Sequence, residues 1–240
     1  MTDASALLHV EDGVALITLN RPDRRNAFDT AMLETLDELV DLVNADRTLH
    51  GAIVTGAGKG FCAGRDLAEM PDIKARERAK ALPDAGGHES TMFARIEVPV
   101  VAAVNGAAVG GGLGFVVQCD YAVMSSEAVV VDGHIPSGMA PSVAAHYIPR
   151  RIGSGAALRF FVRKGPTSAA EALAIGLVDE VVAPDELLNA ARQMLEPFRG
   201  VRAELLRHTT TLCRRAGEQP FERQMELVGM LRSIERRADA

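Results

Sequence analysis

Apolar and polar positions follow two rhythms along this chain. "VALITLN" (residues 14–20) is β-branched and apolar, and it stops at the turn-rich "RPDRRNAFD". Met32, Leu36, Leu39, Val40 and Val43 then recur at helical spacing, with Asp29 placed to cap the first turn. "GAIVTG" (51–56) and "VPVVAAVNG" (98–106) are further apolar runs of strand length, each leading into glycine. The triple glycine 110–112 opens a helix through Val117, and "YAVMSSEAVVV" predicts two short strands around a turn. Residues 71–91 are charged, proline-bounded and weakly periodic, which predicts a mobile helical excursion.

From about residue 140 the rhythm is helical, in "SVAAHYIPRRIG", "SGAALRFF" and "SAAEALAIGLV". Two longer amphipathic segments follow, one from Pro184 to Pro197 and one from Arg202 to the end. Buried strands alternating with helices predict an α/β layer in which parallel strands are covered by helices.

Composition narrows the function. The chain has 240 residues, 48% hydrophobic and 24% charged, which suits a globular protein with an ample core. A net charge of −6 argues against nucleic acid and anionic membranes as partners. No apolar run reaches membrane-spanning length, and "MTDASALLHVEDG" lacks the pattern of a signal peptide, so a cytoplasmic location is expected. Cys62, Cys119 and Cys213 have neither disulfide nor metal spacing and read as reduced thiols, with no metal site expected.

Two glycine clusters compete for chemistry. "GAGKG" (56–60) follows a strand, but Phe61 stands where a dinucleotide fingerprint needs glycine, and no Ser or Thr follows the lysine as in a P-loop. "NGAAVGGGLGF" (105–115) places three glycines at a helix start. Each glycine loses more backbone entropy on folding than a residue with a side chain. Either a helix begins flush against another backbone, or N–H groups must face something charged.

The ordered set of segments is more specific than either cluster. "LNRPDRRNAF", "VTGAGKGFCAGRDLAEM", "VPVVAAVNGAAVGGGLGF", "CDYAVMSSEA" and "SAAEALAIGLVDEVV" together resemble the crotonase superfamily, the enoyl-CoA hydratases and isomerases. The resemblance runs from about residue 13 to about residue 182. It implies a ββα spiral core over residues 1–182 and a C-terminal helical trimerisation region over 183–240, in one structural unit that also covers the active site. It implies an acyl-CoA substrate, with coenzyme A as part of the thioester and no resident cofactor, and self-association as a homotrimer or hexamer. The N–H groups of Arg65 and Gly111 correspond to the family's oxyanion donors, which hold the thioester oxygen as an enolate forms. Backbone groups around Ala63, Arg65, Asp66 and Leu67 would line the adenine and pantetheine path, and Arg24 or Arg25 would meet CoA phosphates.

Departures from the family are as informative. Its hydratases use two glutamates, at positions that carry Gly114 and His134 here, and some isomerases use an acid near Ser142. All three lack a carboxylate, so two-carboxylate catalysis cannot run in its usual form. His134 is the candidate base, since imidazole titrates near working pH. Asp132 lies two residues earlier, on the same face of an extended segment, and can orient it. A structural histidine in a loop is the alternative. Ser142, His146 and His88 are further polar candidates near the site, and Cys62 is expected to pack rather than react. The expected function is an acyl-CoA-processing enzyme working through a stabilised enolate, in isomerisation, decarboxylation or hydrolysis rather than ordinary hydration. An acyl-CoA-binding or oligomer-partner protein that has lost its acids is the alternative. RNA binding, found in one branch of the family, is disfavoured by the acidic balance.

Overall fold

The computed structural model describes residues 4–69, 88–216 and 221–238. β1 (Ala6–Glu11) and β2 (Val14–Leu19) pair antiparallel across Asp12 and Gly13, whose φ values are +51° and +75°. A two-residue type I′ turn demands positive φ at both positions, and Asp-Gly provides it. After α1 (Thr30–Ala45), β3 (Gly51–Gly56) joins β2 in parallel. Asp29 caps α1 as expected, its carboxylate accepting from Met32 N–H at 2.8 Å.

The chain then alternates between two sheets. β3 lies in the first sheet and β4 (Gly60–Cys62) in the second. β5 (Val100–Val104) returns to the first and β6 (Ala107–Val109) to the second, before α2 (Gly111–Gln118). β7 (Tyr121–Ser125) and β8 (Val129–Val131) repeat the step before α3 (Val143–Ile152). This is the expected ββα spiral. The apolar run 98–106 does not stay in one strand: the backbone leaves the first sheet after Val104 and re-pairs in the second from Ala107. Strands of three residues are too short to show a period, so the second sheet is not legible as a pattern.

The remaining elements are α4 (Ser154–Phe161), β9 (Thr167–Ser168), α5 (Ala169–Ala174), β10 (Glu180–Val182), α6 (Leu187–Leu195), α7 (Ala203–Arg215) and α8 (Phe221–Ala238). The first sheet has the order β1-β2-β3-β5-β7-β10, parallel from β2 onward, and the second has the order β4-β6-β8-β9. Every residue of β3 and β5 is buried, because both faces of the first sheet are covered. Met32, Leu36 and Val40 of α1 cluster with Val54 and Ala102 on one face, and Leu187, Ala191 and Leu195 of α6 with Ile53 and Val101 on the other.

The amphipathic segment expected from Arg202 onward is two helices. Ala216 is extended (φ −58°, ψ 127°), and Pro220 lacks the N–H that a continuous helix would need. Buried Arg207 anchors α7 to Glu97 and to the Asp46 carbonyl, both at 2.8 Å. Arg214 grips both Asp120 oxygens with the Nε–Nη2 edge of its guanidinium, at 2.7 and 2.6 Å, and donates to the Ala94, Ile96 and Val98 carbonyls. The excursion expected over 71–91 lies outside the described residues as far as residue 87, and His88–Thr91 form a 3-10 turn.

Candidate active site at the ends of three parallel strands

β4, β6 and β8 are parallel neighbours, with Cys62 opposite Ala108 and Val109 opposite Val131. Ligand sites in parallel sheets form beyond the C-terminal ends of the strands. Each of these three strands delivers one part of the constellation: Gly64 and Arg65 follow β4, Gly110 and Gly111 follow β6, and Asp132 and His134 follow β8.

Phe28 fixes the first part. It bridges Arg65 in parallel, donating its N–H to the Gly64 carbonyl at 2.9 Å and accepting from Asp66 N–H at 2.8 Å. Backbone groups alternate in direction along an extended segment, so the Arg65 N–H faces away from Phe28. Gly64 presses this segment against the triple glycine. A Cβ there would stand 2.8 Å from the Val109 oxygen and 3.2 Å from Gly111 N, at a φ of +89°. Gly111 begins α2, where a helical N–H has no carbonyl behind it. The two N–H groups therefore stand on adjoining segments, and among the described residues neither donates to a backbone acceptor outside the regular elements.

The triple glycine answers to packing as well as to donor exposure. Gly110 has a φ of +53° and donates to the Val131 carbonyl at 2.9 Å, which ties the second part to the third. A Cβ on Gly111 would stand 2.6 Å from the Phe28 ring, and one on Gly112 would overlap the Cys62 carbonyl oxygen. The missing Cβ atoms of Gly111 and Gly112 make room for protein atoms, so α2 begins flush against the Cys62 backbone.

His134 and Asp132 form the expected pair. Asp132 Oδ1 lies 2.5 Å from His134 Nδ1, with 2% of the Asp132 side chain and 20% of the His134 side chain exposed. This hydrogen bond raises the imidazole pKa above 6.5; burial opposes it and the Asp132 charge reinforces it. Asp132 Oδ2 is buried without a partner among the described residues. His134 Nε2 stands 3.5 Å from Ser142 Oγ. Gly114 faces α3, where a Cβ would find Val143 Cγ1 at an ordinary 3.7 Å.

Ala63, Asp66 and Leu67 flank Arg65 along the chain, and Arg24 is near enough for its charge to act on Asp66. Ala63 N–H donates to the Arg25 carbonyl at 3.0 Å, and Arg24 and Arg25 are exposed. The Asp66 carboxyl is held below the usual carboxylate range by Ala68 N–H, then by Arg21, with the Arg24 charge contributing. Leu67 is 80% exposed, an unusual position for a large apolar side chain with no pattern requiring it.

Sequence reasoning missed three participants. Phe28 underlies the site, packing on Phe115 at 4.9 Å and lying 5.2 Å beneath the Arg65 guanidinium. Glu89 pairs with that guanidinium at 2.5 Å, and its other oxygen is buried without a partner among the described residues. Its charge is indistinguishable, in sequence, from its charged neighbours. Buried Asn26 (φ +54°) donates to the Ala57 and Gly60 carbonyls and accepts from Arg21 N–H, which organises the loop before Phe28.

The other polar candidates separate. Cys62 packs as expected, its Sγ contacting the Asn26 carbonyl at 3.1 Å, and burial pushes its thiol up to about 12. His146 faces Arg150 at 2.8 Å in a different cleft of about 800 Å³, walled by Gln118, Tyr147 and Arg214. The His88 side chain lies outside the described residues. No described helix is long and apolar enough to cross a membrane, and no described group of three or more His, Cys, Asp or Glu could hold a metal ion.

Comparison with known proteins agrees with this architecture. The family model for enoyl-CoA hydratase/isomerase matches residues 9–234. The short-chain-enoyl-CoA hydratase of Clostridium acetobutylicum is 35% identical over 195 residues, covering 79% of this chain and 73% of its own. The ethylmalonyl-CoA decarboxylase of Rattus norvegicus is 34% identical over 202 residues, covering 82% and 67% respectively. Among solved structures, a monofunctional enoyl CoA isomerase from M. smegmatis superposes with a TM-score of 0.76 at 30% identity, over 92% of this chain and 98% of that one. Fold, motif order and matched length coincide, and the chain is an enzyme of the enoyl-CoA hydratase/isomerase family, within the crotonase superfamily.

Proposed function

We infer that this enzyme binds an acyl-CoA with its thioester oxygen between the N–H groups of Arg65 and Gly111, and that His134, oriented by Asp132, is its base. The observation that carries this reading is the Asp132–His134 pair at 2.5 Å, its carboxylate buried, one strand away from the paired glycine segments. Removing the acyl α-proton puts negative charge on the thioester oxygen. Two fixed donors in a water-poor site stabilise that charge, each contributing about 2.7–4 kcal/mol in comparable oxyanion holes. The proton goes to His134 Nε2, and the imidazolium is stabilised by Asp132 as in other carboxylate–histidine pairs. Arg24, with backbone groups of Ala63, Asp66 and exposed Leu67, lines the CoA side. Coenzyme A enters as part of the substrate, and no step calls on a metal or resident cofactor.

Gly114 and His134 supply no pair of carboxylates to position water, so the reaction is isomerisation, decarboxylation or hydrolysis in preference to hydration. Similarity to a decarboxylase and an isomerase supports that range. The test is exchange of the acyl α-protons with D₂O, followed by mass spectrometry across saturated acyl-CoAs. His134→Ala should abolish exchange and leave acyl-CoA affinity nearly unchanged. Exchange that persists in His134→Ala would remove His134 from the role of base.

A further inference from the structure

Ser142 occupies the N-cap of α3 but does not cap it. Serine is favoured at that position because its oxygen accepts from the unpaired N–H groups of the first turn. Here the side chain makes no capping hydrogen bond, and Oγ stands instead 3.5 Å from His134 Nε2. That distance is the outer limit of hydrogen-bond reach, and catalytic contacts of this kind tighten when substrate binds. Asp132 Oδ1, His134 Nδ1, His134 Nε2 and Ser142 Oγ thus stand in one row that begins on a buried carboxylate and ends on an exposed serine. The adjacent residue, Val143, faces Gly114. The start of α3 therefore lies against α2 at Gly114, close to one turn beyond the Gly111 donor.

A carboxylate, an imidazole and a hydroxyl in this order, beside two backbone N–H groups, form an arrangement that performs acyl transfer on unrelated folds. We propose that Ser142 is a nucleophile and that this site hydrolyses acyl-CoA thioesters through an acyl-serine. The proposal rests on the oxyanion and base assignments made above and names the reaction of that same site. Ser142 Oγ bonds to the thioester carbonyl carbon while its proton passes to His134 Nε2, and the carbonyl oxygen becomes an oxyanion between Arg65 and Gly111. The C–S bond then breaks, and the departing sulfur takes the proton from His134, releasing free CoA. Water attacks the acyl-serine carbonyl, giving its proton to His134. The second tetrahedral oxyanion collapses with cleavage of the C–Oγ bond, the proton returns to Ser142, and a carboxylic acid leaves.

The experiment follows two signals from the wild-type enzyme with saturated straight-chain acyl-CoAs of increasing length, which lack the double bond that hydration and isomerisation require. One signal is free thiol; the other is deuterium uptake at the acyl α-carbon. An alkyl fluorophosphonate, which reacts with an activated serine whatever acyl group is native, is tested alongside. The expected result is fluorophosphonate labelling of Ser142, thiol release from at least one acyl-CoA, and loss of that release by about a thousandfold or more in Ser142→Ala. Ser142→Cys should accumulate a covalent acyl adduct at position 142, visible as an intact-mass increase, which a merely structural serine would not give. Deuterium uptake without thiol release or labelling overturns the nucleophile and leaves the oxyanion and base assignments standing. Thiol release unchanged in Ser142→Ala overturns it as well. Absence of both signals across the series overturns both readings.

Discussion

Asp132 Oδ1 stands 2.5 Å from His134 Nδ1, and the Asp132 side chain is almost entirely buried. This relationship sets the pH profile. The hydrogen bond that His134 Nδ1–H donates to Asp132 raises the His134 pKa above 6.5, whereas burial alone would lower it. A base must be neutral to accept a proton, so kcat/KM should fall as pH drops through that raised value. In Asp132→Asn the raising contributions go and burial remains, so the acid limb should move to lower pH while the rate falls by about 10²–10⁴-fold. An acid limb that stays in place in Asp132→Asn would show that another group controls it.

The same pair makes stability run opposite to activity. His134 has a folded pKa above its unfolded value, so its contribution is fully present below about pH 6.5 and is lost as pH rises through the folded pKa. Denaturant titrations of wild type and Asp132→Asn should therefore differ more at about pH 5.5 than at about pH 9. An equal difference at both would mean that the pair contributes through packing alone.

Much of this was legible in sequence, for identifiable reasons. The Asp29 cap, the α1 stripe and the buried strands β3 and β5 are patterns long enough to repeat. The Asp132–His134 pair was legible because two residues of extended chain bring side chains to one face. The second sheet was not, because Gly60–Cys62, Ala107–Val109 and Val129–Val131 complete no period. Phe28 and Glu89 were missed because their roles arise from contacts with Arg65 across long stretches of chain, which local spacing does not encode.

Gly64 and Gly111 should fail differently when substituted. A Cβ at Gly64 meets backbone, the Val109 oxygen, at a positive φ, and backbone cannot swing aside. Gly64→Ala should cost about 1–3 kcal/mol of stability and displace the Arg65 N–H. A Cβ at Gly111 meets the Phe28 ring, so Gly111→Val should cost about 1–3 kcal/mol through overpacking and abolish productive acyl-CoA binding. Pairing Gly111→Ala with Phe28→Leu should recover stability relative to Gly111→Ala alone, a coupling that denaturation of the double-mutant cycle measures. Strictly additive effects would place the Gly111 clash elsewhere.

The C-terminal helices should mediate a trimer or a dimer of trimers. Leu205 on α7 is 39% exposed and Met225 on α8 is 43% exposed, apolar surface that a lone subunit leaves in water. Light scattering at micromolar concentration should give a trimer or hexamer, and Leu205→Glu with Met225→Glu should lower the mass. A wild-type monomer would overturn this assignment.

Hydration is where the departure from two glutamates should be plainest. Crotonyl-CoA can bind with its carbonyl at the Arg65 and Gly111 donors, so affinity should be ordinary for the site. Adding water needs one group to orient and deprotonate it and another to return a proton to the α-carbon. Neither Gly114 nor Ser142 carries a carboxylate, and the one carboxylate paired with the His134 imidazole, that of Asp132, lies behind it on Nδ1. General acid–base help is worth about 10²–10⁴-fold per group, so hydration should run orders of magnitude below that of a two-glutamate enzyme. Gly114→Glu has room to be built, since the nearest contact of a Cβ there is Val143 at 3.7 Å. It should nevertheless restore little hydration, because the opposite position still presents an imidazole tied to Asp132. Only Gly114→Glu combined with His134→Glu should raise the rate substantially, and that pair should lose the α-proton exchange that depends on the imidazole. Fast hydration by the wild type, followed by loss of absorbance at the conjugated thioester, would overturn the view that His134 replaces the hydratase acids rather than serving with water in their place.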